Sequence, residues 1–167
     1  MPVRGVIVVR PIEAERDADA VAAALVDSSR HHTSLEPERY EVLDPARVAE
    51  EYRRGRQHPA STPPDERATL VAELDGRVVG FVDVHVAHPG GSHRPLRYGY
   101  LSEIAVAAAD RRRGAGAALL RAAEEWARER GCSYAVLDYN ARNDDARRFY
   151  RDRMGYVPAG EIVVREL

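Results

Sequence analysis

Short apolar runs alternate along this chain with longer segments in which apolar residues recur every three or four positions. The runs are typical of strands, and the longer segments are typical of helices with one buried face. Predicted strands cover residues 6–10, 69–74, 78–86, 97–106, 133–139, 155–158 and 161–166. Predicted helices cover residues 17–29, 45–56 and 117–130, and a fourth runs from 143 or 144 to about 154.

The connections between these elements indicate how they are arranged. Asp75-Gly76 separates two predicted strands and suits the positive φ angles of a two-residue hairpin turn. Segments 31–44, 57–66 and 88–95 contain many polar residues and prolines and are predicted loops. The strand, helix and strand between 97 and 139 should form a parallel, right-handed crossover. The predicted class is therefore α/β, of mixed α+β character, with three layers.

Length and composition limit the classes of protein that need be considered. A chain of 167 residues suits one domain, predicted here to span 1–167. No run of eighteen apolar residues occurs, and the apolar run near the N-terminus has only four residues, too few for the core of a signal peptide. Because Cys132 is the single cysteine, no internal disulfide can form, and we expect a cytoplasmic protein with a small, buried thiol at this position.

Charged residues exclude several kinds of chemistry. All 25 cationic side chains are arginine, so mechanisms that need a lysine amine, such as Schiff-base catalysis, are ruled out. A net charge of −2 argues against a general nucleic-acid binder. The histidines at 31 and 32 and at 85 and 88 lack the spacing of a helical metal-binding pair, and we expect no metal.

A glycine-rich turn lies between the predicted strand at 97–106 and the helix at 117–130. Its sequence is Arg111-Arg112-Arg113-Gly114-Ala115-Gly116. Glycines let the backbone approach a bound group closely, and the following helix presents the positive end of its dipole. The turn predicts a phosphate-binding cradle, and a tight turn with solvated arginines is the alternative that this motif leaves open. A dinucleotide fingerprint is excluded because its third glycine is missing.

Together, three segments closely resemble the GNAT superfamily of acetyl-CoA-dependent N-acetyltransferases. The glycine-rich turn matches the cofactor motif of that family, in which Gln or Arg precedes two residues, Gly, one residue, and Gly or Ala. Segment 101–106 looks like the central strand of the family, and segment 143–156 is similar to its second motif. The resemblance is specific from Tyr98 to Tyr156. It implies a GNAT-like fold, whose central sheet is mixed and mostly antiparallel, with a splayed pair of parallel strands and flanking helices.

The resemblance also implies acetyl-CoA as cosubstrate and a set of residues that hold it. Those residues are Ile104, Ala105, Val106, Arg111, Arg112, Arg113, Gly114, Ala115, Gly116, Ala117, Asn143 and Tyr150. The phosphates would lie on the N–H groups of residues 112–117, and the pantetheine arm would lie along 104–106 as an added strand. The N–H group of Val106 would polarise the thioester oxygen. Asn143 could instead serve as a helix cap, and the two roles are compatible.

Glu103 and Tyr150 are the candidate catalytic residues. Acetyl transfer needs a neutral amine as nucleophile and releases a thiolate, so a base and an acid both help. Glu103 on the central strand is the candidate base, directly or through a water, and its alternative role is a surface carboxylate paired with an arginine. Tyr150 matches the family tyrosine that protonates the departing sulfur, and its alternative role is core packing beside Phe149.

The sequence says least about the acceptor. In the family the acceptor site varies with the first two helices, their loops and the final strands. Carboxylates that could attract a cationic amine, or form a solvated rim, are Glu36, Glu38, Glu41, Asp65 and Glu66. The predicted function is direct transfer of an acetyl group to a primary amine in a ternary complex. A small molecule and a protein N-terminus both remain as acceptors, and a non-catalytic acyl-CoA-binding module is the alternative. No nucleic acid or membrane partner is expected, and family members are often homodimers.

Overall fold

The computed structural model describes residues 5–92, 94 and 96–165, and these form one five-stranded sheet. In chain order and in spatial order the strands are β1 (Ile7–Pro11), β2 (Arg67–Leu74), β3 (Arg77–Ala87), β4 (Tyr98–Val106) and β5 (Tyr134–Val136). Neighbours are antiparallel except for β4 and β5, which are parallel. The predicted mixed, mostly antiparallel sheet is confirmed.

Helices cover both faces of this sheet and complete the three layers. They are α1 (Ala14–Leu35), α2 (Pro45–Arg53), α3 (Ala115–Glu129) and α4 (Asp144–Arg147), which continues as a π-helix over Arg148–Arg153. Alternate residues of the strands divide between two cores. Val82 and Leu101 pack with Leu119 of α3, whereas Phe81 packs with Val21 of α1 on the opposite face. None of the described helices has both the length and the apolar character that crossing a bilayer requires.

The termini of several elements follow from local chemistry. Asp44 caps α2, because its carboxylate accepts N–H groups from Ala46 and Arg47. The predicted hairpin is confirmed: Asp75 and Gly76 have φ angles of 53° and 77° between β2 and β3. By contrast, α1 runs six residues beyond the predicted end at 29, since no glycine or proline occurs before Pro37.

Two predictions near the C-terminus are wrong. Segments 155–158 and 161–165 form no strand, and residue 166 of the second prediction lies outside the described residues. Large apolar side chains in this tail are exposed: Val157, Ile162, Val163 and Val164. The predicted strand at 133–139 exists but pairs only over 134–136. Cys132, just before it, is half-buried rather than fully buried.

The predicted loops are largely as expected. Segment 57–66 is irregular apart from a short 3-10 turn at Pro64–Glu66, and only 36–44 of the segment predicted at 31–44 lies outside α1. Within 88–95 the described residues form no helix or strand, and residues 93 and 95 lie outside the described part of the chain.

A β-bulge interrupts the pairing of β3 and β4. Asp83 lies opposite Glu103 and Val84 lies opposite Leu101, so Ser102 has no partner on β3. An extra residue of this kind bends a strand and increases its twist. The unpaired Ser102 lies two residues after Tyr100, which is the last residue of β4 that pairs with β5. The two parallel strands therefore separate where β4 is bent.

Candidate functional site

A cleft of about 1040 Å³ lies beside β4, where that strand and β5 separate. Within the described residues the two strands pair only between 98–100 and 134–136, so no described strand lies along this edge of β4 from Leu101 to Val106. The start of α3 and the π-helix form further walls of the cleft. The volume is at the upper end of the roughly 300–1,000 Å³ typical of ligand sites, so a large ligand fits.

Most residues that the sequence assigned to the site line this one cleft. They are Glu103, Ile104, Ala105, Val106, Arg111, Arg112, Gly114, Ala115, Gly116, Ala117, Asn143 and Tyr150. Arg113 is the exception, because its guanidinium forms an ion pair with Asp110 at 3.0 Å and the residue does not line the cleft. Asp110 also binds Arg77 at 2.9 Å and is nearly fully buried, so this carboxylate anchors the turn.

The glycine-rich turn has an unusual backbone conformation. Gly114 has a φ of 103° and directly precedes α3, and Arg112 has a φ of 61°. A side chain at Gly114 would be strained whatever the surrounding space. Arg112 forms no ion pair within the described part of the chain, and the Arg111 side chain donates to the carbonyl of Val106 at 3.2 Å. The turn thus brings the first N–H groups of α3 and the charge of Arg112, which also acts on Asp145, to the same end of the cleft.

Glu103 is half-buried on the cleft wall, and its carboxylate is not paired with an arginine in the described structure. Burial, together with the charge of Asp83, raises the pKa of Glu103 to about 7. A carboxyl with this pKa can accept a proton near neutral pH and release it again. The alternative role, a surface carboxylate paired with an arginine, is wrong.

Tyr150 packs against two aromatic rings and also lines the cleft. Its ring is stacked on Tyr139, with centroids 5.7 Å apart, and contacts Phe149 edge-on. Its hydroxyl makes no hydrogen bond to any described residue, and the residue lines the cleft. Burial and the charges of Glu103 and Asp138 raise the pKa of Tyr150, so it stays protonated and is able to donate.

The segment around Tyr150 begins with a helix cap that was predicted and continues in a π-helix that was not. The side-chain oxygen of Asn143 accepts the N–H of Ala146 at 3.0 Å, so Asn143 caps α4 while also lining the cleft. The π-helix carrying Tyr150 was not predicted. Such helices are rare and are often found at functional sites, and no simple sequence pattern marks them.

A smaller cavity of about 310 Å³ lies next to the cleft, and Glu103, His32 and Tyr40 line both. Of the carboxylates that the sequence proposed for the acceptor, Glu41 lines this cavity. The side chain of Glu36 is instead buried and held by Asn140 and Arg39, which lower its pKa. The other three line neither cavity: Glu38 pairs with Arg142, Glu66 pairs with Arg97, and Asp65 lies in the 3-10 turn. His32, Tyr40 and Asp138, which also line the cleft, were missed because their proximity depends on the fold.

Comparison with known proteins adds independent information. Residues 30–156 match the model of the acetyltransferase (GNAT) family, which covers most of the chain. The chain is 29% identical over 103 residues to "Aminoglycoside N(6')-acetyltransferase type 1" of Serratia marcescens, spanning 60% of this chain and 68% of that protein. It is 35% identical over 58 residues to "Uncharacterized N-acetyltransferase YhdJ" of Bacillus subtilis (strain 168). That second match spans 35% of this chain and less than half, 41%, of the relative.

Among solved structures, the chain resembles aminoglycoside N-acetyltransferase AAC(6')-Iy, which was solved in complex with CoA. The TM-score is 0.70, with 17% identity, and the superposition covers 100% of this chain and 98% of the other. At this identity the similarity concerns the fold.

Proposed function

Because this chain belongs to the GNAT acetyltransferase family, we propose that it transfers an acetyl group from acetyl-CoA to a primary amine, directly and in a ternary complex. One observation carries the proposal: the open edge of β4, the glycine-rich turn and the side chains of Glu103 and Tyr150 all line a single cleft. A module that only binds acyl-CoA would need the turn but neither of the two side chains.

The residues present fit acetyl-CoA. Its pyrophosphate would lie on the N–H groups after Gly114, with Arg111 and Arg112 as further donors. The pantetheine arm would pair with the free edge of β4 at 104–106, as a strand added to a sheet. Acetyl-CoA supplies an acetyl group activated as a thioester.

One candidate catalytic side chain would remove a proton before the acetyl transfer, and the other would donate a proton as the sulfur departs. Glu103 accepts a proton from the ammonium form of the acceptor, and the neutral nitrogen then attacks the thioester carbon. The carbon–sulfur bond breaks, and Tyr150 donates its proton to the departing sulfur. The second proton of the attacking nitrogen leaves as the amide forms and returns through water to the Tyr150 oxygen. The N–H of Val106 polarises the thioester oxygen. Since both groups face one cleft, both substrates can be bound at once.

The acceptor proposed here is a cationic amine of small size. The 310 Å³ cavity adjoining Glu103 is small, and Glu41, Tyr40 and Arg39 are among the residues that line it. The positive charge of Arg39 is paired with Glu36 at 3.0 Å. Carboxylates and aromatic rings both attract ammonium groups. One relative, from Serratia marcescens, is by its name an acetyltransferase that acts on a nitrogen of an aminoglycoside. A protein N-terminus is the alternative acceptor, and an open groove in place of a closed cavity would favour it.

The test is thermal unfolding with acetyl-CoA, ATP and NAD in parallel, followed by an acetylation assay on an aminoglycoside, a short aliphatic diamine and a peptide with a free N-terminus. At a hundred times its Kd, a ligand adds about 2.7 kcal/mol of stability, which raises the Tm by roughly 5 to 10 °C. We expect that rise with acetyl-CoA alone, and turnover with a small amine. The absence of a rise would contradict the proposed cofactor site.

Replacement of Gly114 by valine should abolish the rise caused by acetyl-CoA. A valine cannot easily adopt a φ of 103°, so the backbone of the turn must shift away from the phosphates. Gly131→Val is the matched control, because Gly131 also has a positive φ, 71°, but lies just beyond the opposite end of α3, outside the cleft. Both variants should unfold at lower temperature than the parent, and only Gly131→Val should keep the rise.

Replacement of Tyr150 by phenylalanine should lower kcat by only about tenfold, which is less than the roughly hundred- to ten-thousand-fold typical of general acids. The effect is small because a thiol with a pKa of about 8.5 is already a fair leaving group at neutral pH. Stacking on Tyr139 should be kept, and the Tm with it. The measurement is kcat at saturating acetyl-CoA, and an unchanged kcat would remove the acid role from Tyr150.

Exposed apolar residues support a further expectation about assembly. Val157, Ile162 and Val163 are each at least 80% exposed, and they lie in one unpaired segment at the C-terminal end of the described chain. Unpaired apolar segments of this kind often mark contacts between protein chains. We propose that the protein forms a homodimer in which this segment is covered.

A further inference from the structure

A buried polar cluster lies next to the cleft, on the face of the sheet that α1 and α2 cover. Its centre is Asp83 of β3, which is only 2% exposed. Tyr52 of α2 donates a hydrogen bond to Oδ2 of Asp83 at 2.6 Å, and the hydroxyl of Thr69 on β2 donates to Oδ1. His58 Nε2 lies 3.3 Å from the same hydroxyl oxygen and 3.9 Å from Asp83 Oδ1. The cluster thus holds one carboxyl in a fixed position.

Asp83 lies directly opposite Glu103 in the pairing of β3 and β4. Residues opposite one another in an antiparallel pair point to the same face of the sheet, with Cβ atoms about 5 Å apart. The buried carboxyl of Asp83 and the half-buried carboxyl of Glu103 are therefore neighbours. One belongs to the cluster and the other to the wall of the cleft.

No cation in the described structure compensates this pair. Neither carboxyl forms an ion pair with an arginine, although the chain is rich in arginine. Burial lowers the pKa of His58 to about 4 and also lowers the pKa of His85 and His32, so these histidines are neutral at pH 7. A cation that entered the cleft would be the first close counter-charge for the pair.

We propose that Asp83 is a positioning residue whose ionised carboxyl, held opposite Glu103, keeps Glu103 able to take a proton from a cationic acceptor amine. The inference rests on the proposed function of Glu103 as the base. Burial raises the pKa of Asp83 to about 7 as well, and the two hydrogen bonds that Asp83 accepts act against this rise. The two carboxyls therefore titrate as a coupled pair, in which the hydrogen bonds favour the charge on Asp83. Two neighbouring carboxyls resist a second ionisation, and the charge of Asp83 therefore raises the pKa of Glu103.

Other titratable or charged groups also surround Glu103 and must be considered in a titration. Around the smaller cavity, the buried cluster and the neighbouring wall of the cleft these are His32, Arg39, Tyr40, Glu41, Tyr52, His58, His85, Tyr100, Asp138 and Tyr150. The cleft is also lined by His31, Asp110, Arg111, Arg112, Tyr139, Asp145, Arg148 and Arg153. Among them, Asp138 acts in the same direction as Asp83 and raises the pKa of Glu103, but less strongly. Its carboxylate accepts a hydrogen bond from Tyr100 at 2.6 Å.

In the proposed step, a proton leaves the ammonium nitrogen and forms an O–H bond on Glu103. The neutral nitrogen forms a bond to the thioester carbon, and the carbon–sulfur bond breaks. The departing sulfur takes the proton of Tyr150, and the second proton of the nitrogen returns through water to the Tyr150 oxygen. The proton held by Glu103 then passes to water. Asp83 keeps its charge throughout this step. Glu103 returns to its ionised starting state once water has taken its proton, and no other reactant is needed.

The test follows the side-chain carboxyl carbon of Glu103 by ¹³C NMR from about pH 4 to about pH 9, a range that spans the pKa of ordinary and shifted carboxyls. Its signal is the one that disappears in Glu103→Gln. We expect a midpoint near 7 in the parent protein. In Asp83→Asn the midpoint should fall by roughly one to two pH units, as removal of a charge at about 5 Å predicts. Asp19→Asn is the control, since it removes an exposed carboxyl of α1 and should leave the midpoint unchanged.

An unchanged midpoint in Asp83→Asn overturns the inference. If that variant does not fold, Tyr52→Phe takes its place: it removes one donor from Asp83, so Asp83 ionises less readily and the Glu103 midpoint should fall by a smaller amount. An unchanged midpoint there overturns the inference equally.

Activity measurements distinguish a failure of the inference about Asp83 from a failure of the proposed function. With the amine that proves active, the acidic limb of the kcat/KM profile should move with the NMR midpoint in Asp83→Asn. A purely structural role would lower kcat at every pH and leave the limb in place. If Glu103→Gln keeps full activity, the base assignment is wrong and the role of Asp83 with it. If Glu103→Gln is inactive but the acidic limb of the kcat/KM profile does not move in Asp83→Asn, only the inference about Asp83 is wrong.

Discussion

Replacement of Glu103 by glutamine is expected to lower kcat/KM for acetyl transfer by roughly a hundred- to ten-thousand-fold, the range typical of a general base. Glutamine has almost the same size and still fits the cleft wall, but it cannot take a proton from an ammonium group. The rise in Tm caused by acetyl-CoA should be unchanged, because the glycine-rich turn is not touched. The measurement is the initial rate against pH with the active amine at low concentration.

The parent enzyme should gain activity as pH rises through about 7, because Glu103, the proposed base, must be ionised to act and its pKa is raised to about 7. The free energy of unfolding should change in the opposite direction and fall as the pH rises. The folded chain holds a proton on Glu103 that the unfolded chain releases near its ordinary pKa of 4.5, so this group weakens folding as pH rises from about 4.5 to about 7. Glu103→Gln should therefore be at least as stable as the parent above pH 7.

Glu129→Gln is the control for Glu103→Gln, because it replaces an exposed carboxyl of α3 that does not line the cleft. It should leave the rate and its pH dependence unchanged. A loss below about tenfold in Glu103→Gln, with the fold intact, would show that Glu103 does not carry the proton transfer.

Replacement of Phe81 by alanine should reduce the free energy of unfolding by about 3 to 5 kcal/mol. Phe81 is fully buried on the central strand β3, and its ring contacts Tyr52 edge-on with centroids 5.5 Å apart. Alanine would leave a cavity between the sheet and the helices α1 and α2 that these rigid elements cannot close. The corresponding fall in Tm is roughly 10 °C or more.

Denaturant unfolding of Phe81→Ala measures the effect directly, and Val8→Ala is the comparison. Val8 of β1 is 49% exposed, so its truncation should change stability by less than about 0.5 kcal/mol. A loss below about 1 kcal/mol in Phe81→Ala would mean that the core on this face can collapse around the gap. Because Tyr52 both contacts Phe81 and holds Asp83, the variant should also disturb the polar cluster beside the cleft.

Local patterns were sufficient to predict much of the sheet and the cofactor end of the cleft. The hairpin at Asp75-Gly76 needs only the positive φ angles of its two residues, and the turn before α3 needs only glycine after a strand and before a helix. Both signals lie within a few neighbouring residues. Alternation in β2 and β3 likewise follows from side chains facing the two cores.

Features that depend on distant parts of the chain could not be predicted. Whether segments 155–158 and 161–165 pair depends on an available strand edge, and their β-branched residues alone do not supply one. Asp83 and Glu103 lie twenty residues apart, and their proximity follows from the register of two strands and from one bulge. The π-helix around Tyr150 changes the helical repeat without any glycine or proline to mark it.

The unpaired residue Ser102 affects how this site can change through insertions and deletions. Leu101 and Ile104 pack in the core under α3, whereas Glu103 and Ala105 face α1 and α2, so the bulge supplies one residue more than regular alternation requires. Loss of Ser102 would leave every neighbour on its present face and would straighten β4. A single-codon deletion could thus reshape the cleft while leaving both cores intact, and variation in the length of this strand would alter ligand geometry before it altered the fold.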